Sequence, residues 1–198
     1  MTIEIQYVTP RYKNLTDLAR KFRCKRFLEI GTWRGSTAQN LILTAKEYCS
    51  DEEIYYVGVD LFEQLTPALK KAEYSKEKVV YRDVLAKLWP LGVDVSLNMG
   101  FSYEVLPILP DQVFDLIFVD GGHSIKTIMS DWEYVQRFIG PDTIVVFDDY
   151  RHGDNVVGCR KLIDRLDTEV WNVEHLDPVE KFKVGKINLV KVCKQSEK

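Results

Sequence analysis

Cysteine is scarce. The chain of 198 residues has four, Cys24, Cys49, Cys159 and Cys193, and no two of them form a C-x-x-C pair. Neither a zinc knuckle nor a disulfide framework is indicated, and the four read as reduced thiols of a cytosolic protein. Glycine (11) and proline (7) are too few and too scattered for a collagen-like or low-complexity chain. Charge of one sign is also missing: 27 basic residues against 30 acidic ones leave a net −3. That removes the electrostatic footprint of a protein that lives on nucleic acid or anionic lipid. Nothing approaches the ~20 apolar residues of a membrane span, and the start, MTIEIQYVTPRYKN, carries no apolar stretch behind a basic one. The expected partners are therefore small molecules, with no nucleic acid and no membrane, in the cytoplasm, and a homo-oligomer is compatible with the chain. What is present is 45% hydrophobic and 29% charged residues, the balance of one globular domain.

Short β-rich runs alternate with stretches of helical period. The strand candidates are Arg26–Ile30, Ile54–Asp60, Val93–Asn98, Phe114–Asp120, Thr143–Phe147, Val170–Glu174 and Ile187–Val192. Several are continuously apolar, as strands covered on both faces are, which predicts a mainly parallel sheet with helices crossing between strands. After Ser36 and Thr37, which can cap a helix, Ala38, Leu41, Ile42, Ala45, Tyr48 and Cys49 form one stripe. Ser124 opens a second helix with a stripe of Ile125, Ile128, Met129, Trp132, Val135, Phe138 and Ile139, stopped by Gly140-Pro141. One or two helices are expected over Leu65–Trp89, with a break near Ser75, and another over Asn155–Leu166 packing through Val156, Cys159, Leu162, Ile163 and Leu166. The predicted fold is α/β: a Rossmann-like, doubly wound, mostly parallel seven-stranded sheet with a C-terminal antiparallel hairpin. In such sheets ligands sit beyond the carboxyl ends of the strands, where strand order reverses.

Four of those ends are polar. Phe27-Leu28-Glu29-Ile30-Gly31-Thr32-Trp33-Arg34-Gly35 runs from strand into helix, either as a tight turn or as a ligand loop whose glycines let the backbone approach closely. Trp33 stands where a dinucleotide fingerprint needs its middle glycine, so a nucleoside without a diphosphate fits better. Asp60 ends the next strand, as a ribose acceptor or a cap. Phe101 or Met99 could line adenine and Ser102 bond its edge, or the aromatic could simply pack.

Asp120 and the pair Asp148-Asp149 close two further strands. Strands ~4.8 Å apart would let these carboxylates converge on one hard cation such as Mg²⁺. Successive strand residues face opposite ways, so Asp148 and Asp149 can share an ion only if the strand has already turned; otherwise one caps the loop and the other faces solvent. His123 stands three residues after Asp120, as a cap or as a base with an ordinary pKa of ~6.5. Arg151 and His152 are second choices at the neighbouring strand end.

Taken in order from Arg26 to Tyr150, these segments resemble class I S-adenosylmethionine-dependent methyltransferases, and within them the metal-dependent O-methyltransferases of the catechol and macrolide-sugar types. Val119-Asp120-Gly121-Gly122-His123-Ser124 and Phe147-Asp148-Asp149-Tyr150 carry the finer likeness. The resemblance implies a methionyl pocket bounded by Glu29, Gly31 and Gly35 with Thr37 near its carboxylate, Asp60 on the ribose, and Phe101 with Ser102 around adenine. Thr32, Ser36, Leu61, Gly100 and Asp120 would complete the cofactor site. It also implies Asp120, Asp148 and Asp149 as metal ligands for Mg²⁺ or a similar ion, and His123 as general base. The expected reaction is O-methylation of a small-molecule hydroxyl on a sugar, polyketide or phenol, yielding S-adenosylhomocysteine. The chain would be a single domain: an N-terminal extension and helix over 1–25, the cofactor and metal region over 26–150, and a helix and hairpin over 151–198. No long lid over the acceptor side is read. A nicotinamide oxidoreductase, a metal-dependent hydrolase and an inactive S-adenosylmethionine-binding protein are the alternatives.

Overall fold

Every apolar run expected to be a strand is one in the computed structural model, which describes residues 4–153, 156–182 and 185–195. The chain runs α1 (Lys13–Phe22), β1 (Arg26–Ile30), α2 (Ser36–Ala45), β2 (Tyr55–Asp60), α3 (Pro67–Ala72), α4 (Tyr81–Leu88), β3 (Asp94–Met99) and α5 (Ser102–Val105). It continues with β4 (Phe114–Val119), α6 (Ile125–Val135), β5 (Ile139–His152), α7 (Arg160–Ile163), β6 (Trp171–His175), β7 (Glu180–Phe182) and β8 (Gly185–Lys194). The sheet order is β3-β2-β1-β4-β5-β8-β6, with β7 paired to β8. Strands β1 to β5 are parallel, and β8 lies antiparallel between β5 and β6. The eighth strand, β7, is too short and too polar to register as an apolar run.

Alternation along β1 divides the core between the two faces. Leu28 and Ile30 join the cluster under α6, with Trp132, Val135 and Phe147. Phe27 joins the cluster under α1, α2 and α4, with Leu15, Leu41, Ile42 and Leu88. Each such fully buried side chain contributes roughly 1.5–3 kcal/mol of transfer free energy.

The helical expectations differ in detail. Helix α2 starts after Gly35 in the left-handed region (φ 67°), with no side-chain cap from Ser36 or Thr37. Met129 is 42% exposed, so it leaves the α6 stripe. The expected Asn155–Leu166 helix shrinks to the single turn α7 with Val156 exposed, and Asn155 lies outside the described residues. Strand β5 is longer than expected, and its register with β8 shifts between Phe147 and Tyr150, where Asp149 has φ 58°. That bulge is the turn needed to bring Asp148 and Asp149 to one site.

Candidate functional site

The parallel strands end along one edge, and strand order reverses between β1 and β4. There the two loops all but touch. Gly31 has φ +92°, and a Cβ on it would lie 2.1 Å from the Asp120 carbonyl oxygen, so only glycine fits. Backbone bonds from Gly31 N to Val59 O and from Asp120 N to Ile30 O, both 2.8 Å, fix this junction.

A cavity of about 540 Å³ opens beside it. Gly31, Asp60, Leu61, Gly100, Phe101, Ser102, Asp120 and His123 all line it, as expected. Asp60 accepts the Trp33 and Phe62 N–H groups at 2.8 Å each. Phe101 stacks on Tyr103 with ring centres 5.1 Å apart. Glu29, Thr32, Gly35, Ser36 and Thr37 are absent from the lining. Glu29 is buried beneath the strand with its carboxyl bonded by the Tyr56 hydroxyl. Thr32 lies 3.3 Å from the same hydroxyl, and the Ser36 hydroxyl accepts from Lys87. Gly35 serves packing, since a Cβ there would lie 2.9 Å from a Val84 methyl on α4.

The segment from Leu65 to Val79 supplies a further stretch of the lining. It is stapled down. Glu73 caps the start of α6, its carboxylate accepting from Ser124 N at 3.0 Å and Thr127 Oγ1 at 2.9 Å, while its carbonyl accepts the His123 N–H. Trp33 Nε1 donates to Glu77 O at 3.0 Å.

Beside the cavity, at Asp120, the three aspartates do converge, as the strand spacing predicts. Asp148 accepts from Arg11 through a fork, Nε to Oδ1 at 2.9 Å and Nη2 to Oδ2 at 2.8 Å, and Oδ1 also accepts the Asp149 N–H. The Tyr12 hydroxyl lies 2.7 Å from both Asp148 Oδ2 and Asp120 Oδ2, one proton serving two carboxylates. Lys76 approaches Asp120 to 3.3 Å, and Asp149 Oδ2 takes Arg151 at 3.0 Å and His123 Nε2 at 3.2 Å. Burial and Asp120 push Asp148 up, whereas Lys76 and His123 overcome burial to hold Asp120 down, as expected of a crowded pair.

Burial alone would lower the His123 pKa, but Asp120 and Asp149 raise it to about 9. The carboxylates therefore favour the imidazolium, with Nδ1 3.2 Å from the Tyr74 carbonyl, over the neutral base its ordinary pKa suggests. His152 turns away to Asn188 and takes no part in this network.

These residues do not fit the divalent ion expected from sequence. The lone pairs of Asp148 are taken by Arg11, Tyr12 and a backbone N–H, and four cationic side chains, Arg11, Lys76, His123 and Arg151, already face the acids. Among the described residues no group of three or more His, Cys, Asp or Glu side chains could hold a metal.

Two acids in this half of the molecule carry a pH signature. Burial raises Glu29 to about 8 against the opposing Tyr56 bond. It raises Asp131 on α6 to about 7 against the opposing Ser102 hydroxyl. Both groups hold protons in the folded state that the unfolded chain releases from about pH 4 upward, so stability falls as pH rises from about 5 to about 8. Thermal melts across that range should show the midpoint dropping, and Asp131→Asn should flatten the drop by about 1–3 kcal/mol of stability at pH 8. An Asp131→Asn profile parallel to wild type would contradict this.

Arg11, Tyr12, Lys76, Glu73, Asp131 and Glu180 were not flagged from sequence. Their spacing carries no periodic or motif signal, and only tertiary closure brings residue 11 against residue 148.

A methyltransferase-domain family model matches residues 28–150. No curated protein matches the chain. Among solved structures, the O-methyltransferase TomG of Streptomyces achromogenes, involved in tomaymycin synthesis and bound to S-adenosylmethionine, is 20% identical with a TM-score of 0.69, covering 97% of this chain and 82% of that one. An O-methyltransferase from Bacillus cereus in complex with S-adenosylhomocysteine is 17% identical with a TM-score of 0.66, covering 98% and 84%. An rRNA methylase from Streptococcus thermophilus is 12% identical with a TM-score of 0.65, covering 96% and 100%. At these identities the likeness establishes the fold.

Proposed function

The chain belongs to the methyltransferase-domain family, and from that premise we propose that it transfers a methyl group from S-adenosylmethionine to a hydroxyl oxygen of a small molecule. The observation that carries this reading is the cavity at the strand-order reversal, lined by Gly31, Asp60 and Phe101 together with Asp120 and His123. Its volume suits an adenosine with a short side chain, and a diphosphate has no glycine gap at Trp33. Asp60 would accept the ribose hydroxyls with the lone pairs its two backbone bonds leave free, and Phe101 would cover the adenine face. The two O-methyltransferase structures, which carry this cofactor or its product, support oxygen as the acceptor.

When bound, the cofactor supplies a methyl group already activated on a sulfonium, so the protein's task is alignment and proton removal. His123 is the group placed to hold the acceptor's proton: Tyr74 orients its ring and Asp149 faces Nε2. The carboxylates that raise its pKa favour the protonated ring, the form it takes once it holds the acceptor's proton.

Calorimetry with S-adenosylhomocysteine tests the reading. Micromolar binding to wild type and a loss of about tenfold or more in Asp60→Ala are expected. The reading fails if no heat appears up to about 1 mM, or if NAD binds in its place.

A further inference from the structure

Three carboxylates buried at one strand edge need countercharge, and this chain supplies it from its own N-terminal segment. Arg11 is only 7% exposed, and every edge of its guanidinium is used. The fork on Asp148 spends Nε and Nη2, and Nη2 also lies 4.0 Å from Asp149 Oδ1. On the far side Nη1 donates to Glu180 Oε2 at 2.6 Å and Thr9 Oγ1 at 3.0 Å, and the Arg11 backbone N–H donates to Glu180 Oε1 at 2.8 Å. The Phe182 ring lies 5.5 Å from the guanidinium carbon. Glu180 is thus a fourth acid, balancing Arg11, Lys76, His123 and Arg151 one for one.

We propose that the Arg11 guanidinium is a built-in cation that takes the place of a divalent ion between Asp148 and Asp149, so that the protein works without binding one. A planar fork matches a carboxylate edge in a way no spherical ion must, and it keeps its charge at any working pH. To enter, an ion would have to break the fork, break the Glu180 pair and move the segment that carries Tyr12 off both Asp120 and Asp148. Arg11 is here a positioning residue: it sets Asp148 and, through Tyr12, Asp120, whose other face lines the cavity. One consequence concerns the acceptor, which needs a single hydroxyl and not a chelating pair of oxygens.

The inference rests on the methyl-transfer reading, and the test separates the two. Mn²⁺ is titrated into the full chain and free ion is followed by electron paramagnetic resonance. Wild type should leave Mn²⁺ free at about 1 mM. Arg11→Ala, which bares Asp148 and the edge of Asp149 that Arg11 faces, should take it up at least about tenfold more tightly, and Asp148→Asn in that background should abolish the gain. Wild-type uptake that Asp148→Asn removes would overturn the proposal. So would a folded Arg11→Ala protein that takes up no more Mn²⁺ than wild type. Should Arg11→Ala not fold, wild type decides alone: no uptake and unchanged turnover in chelator support the built-in cation, and uptake or chelator inhibition overturns it. A failure of the methyl-transfer reading shows instead as absent S-adenosylhomocysteine binding, with the Mn²⁺ result unaffected.

Discussion

Replacing His123 by alanine is expected to slow methyl transfer by about 10²–10⁴-fold while affinity for S-adenosylhomocysteine stays within about threefold of wild type. The asymmetry follows from where the ring sits. Its Nε2 faces Asp149 at 3.2 Å and Asp120 at 3.8 Å. In the proposed reading the adenosine is held instead by Asp60, Leu61 and Phe101. Single-turnover rates with saturating cofactor and a panel of phenols and sugars would measure the first effect, and calorimetry the second. A variant that keeps wild-type turnover would remove His123 from the chemistry and leave the cofactor site as it stands. If affinity collapsed together with rate, the ring would be supporting the pocket and not handling a proton.

Gly31→Ala should be the most damaging single-methyl change in the molecule. The added carbon would lie 2.1 Å from the Asp120 carbonyl oxygen, 2.6 Å from its carbonyl carbon and 2.9 Å from Gly121 N, all of them backbone atoms. A flexible side chain could swing aside, but these cannot, because β1 and β4 are neighbours in the sheet and their loop bonds hold the junction from both sides. The φ of +92° adds strain for any L side chain. A loss of about 3 kcal/mol or more is expected, with donor binding lost as well. Circular-dichroism melts and the same calorimetric titration give both quantities. A melting point within a degree or two of wild type would mean that the two loops stand apart in solution.

The strands were legible in the sequence because continuous apolar runs are what doubly covered strands require, and the cavity-lining residues were legible because they follow the ends of those runs. Gly31, Asp60, Phe101 and Asp120 could be placed without coordinates for that reason. Glu29 was misplaced into the pocket because alternation along a strand does not say which side of the tip a ligand will occupy, and its side chain points to Tyr56 on the covered face. Gly35 was misassigned for a related cause: a glycine required by a helix packed against it looks, in sequence, like one required by a ligand. The charge state of His123 was beyond reach altogether. An ordinary imidazole pKa holds only until carboxylates from two strands close around it. Likewise the aspartates read as metal ligands because nothing local announces that a guanidinium from residue 11 will reach them.

The tie between Arg11 and Glu180 joins positions 169 residues apart. The acidic edge therefore closes only once segments far apart in the chain have docked on the sheet. Contacts of such long range are the slowest to form. Fraying of β7, which carries Glu180, would release one edge of the Arg11 guanidinium and be felt at Asp148.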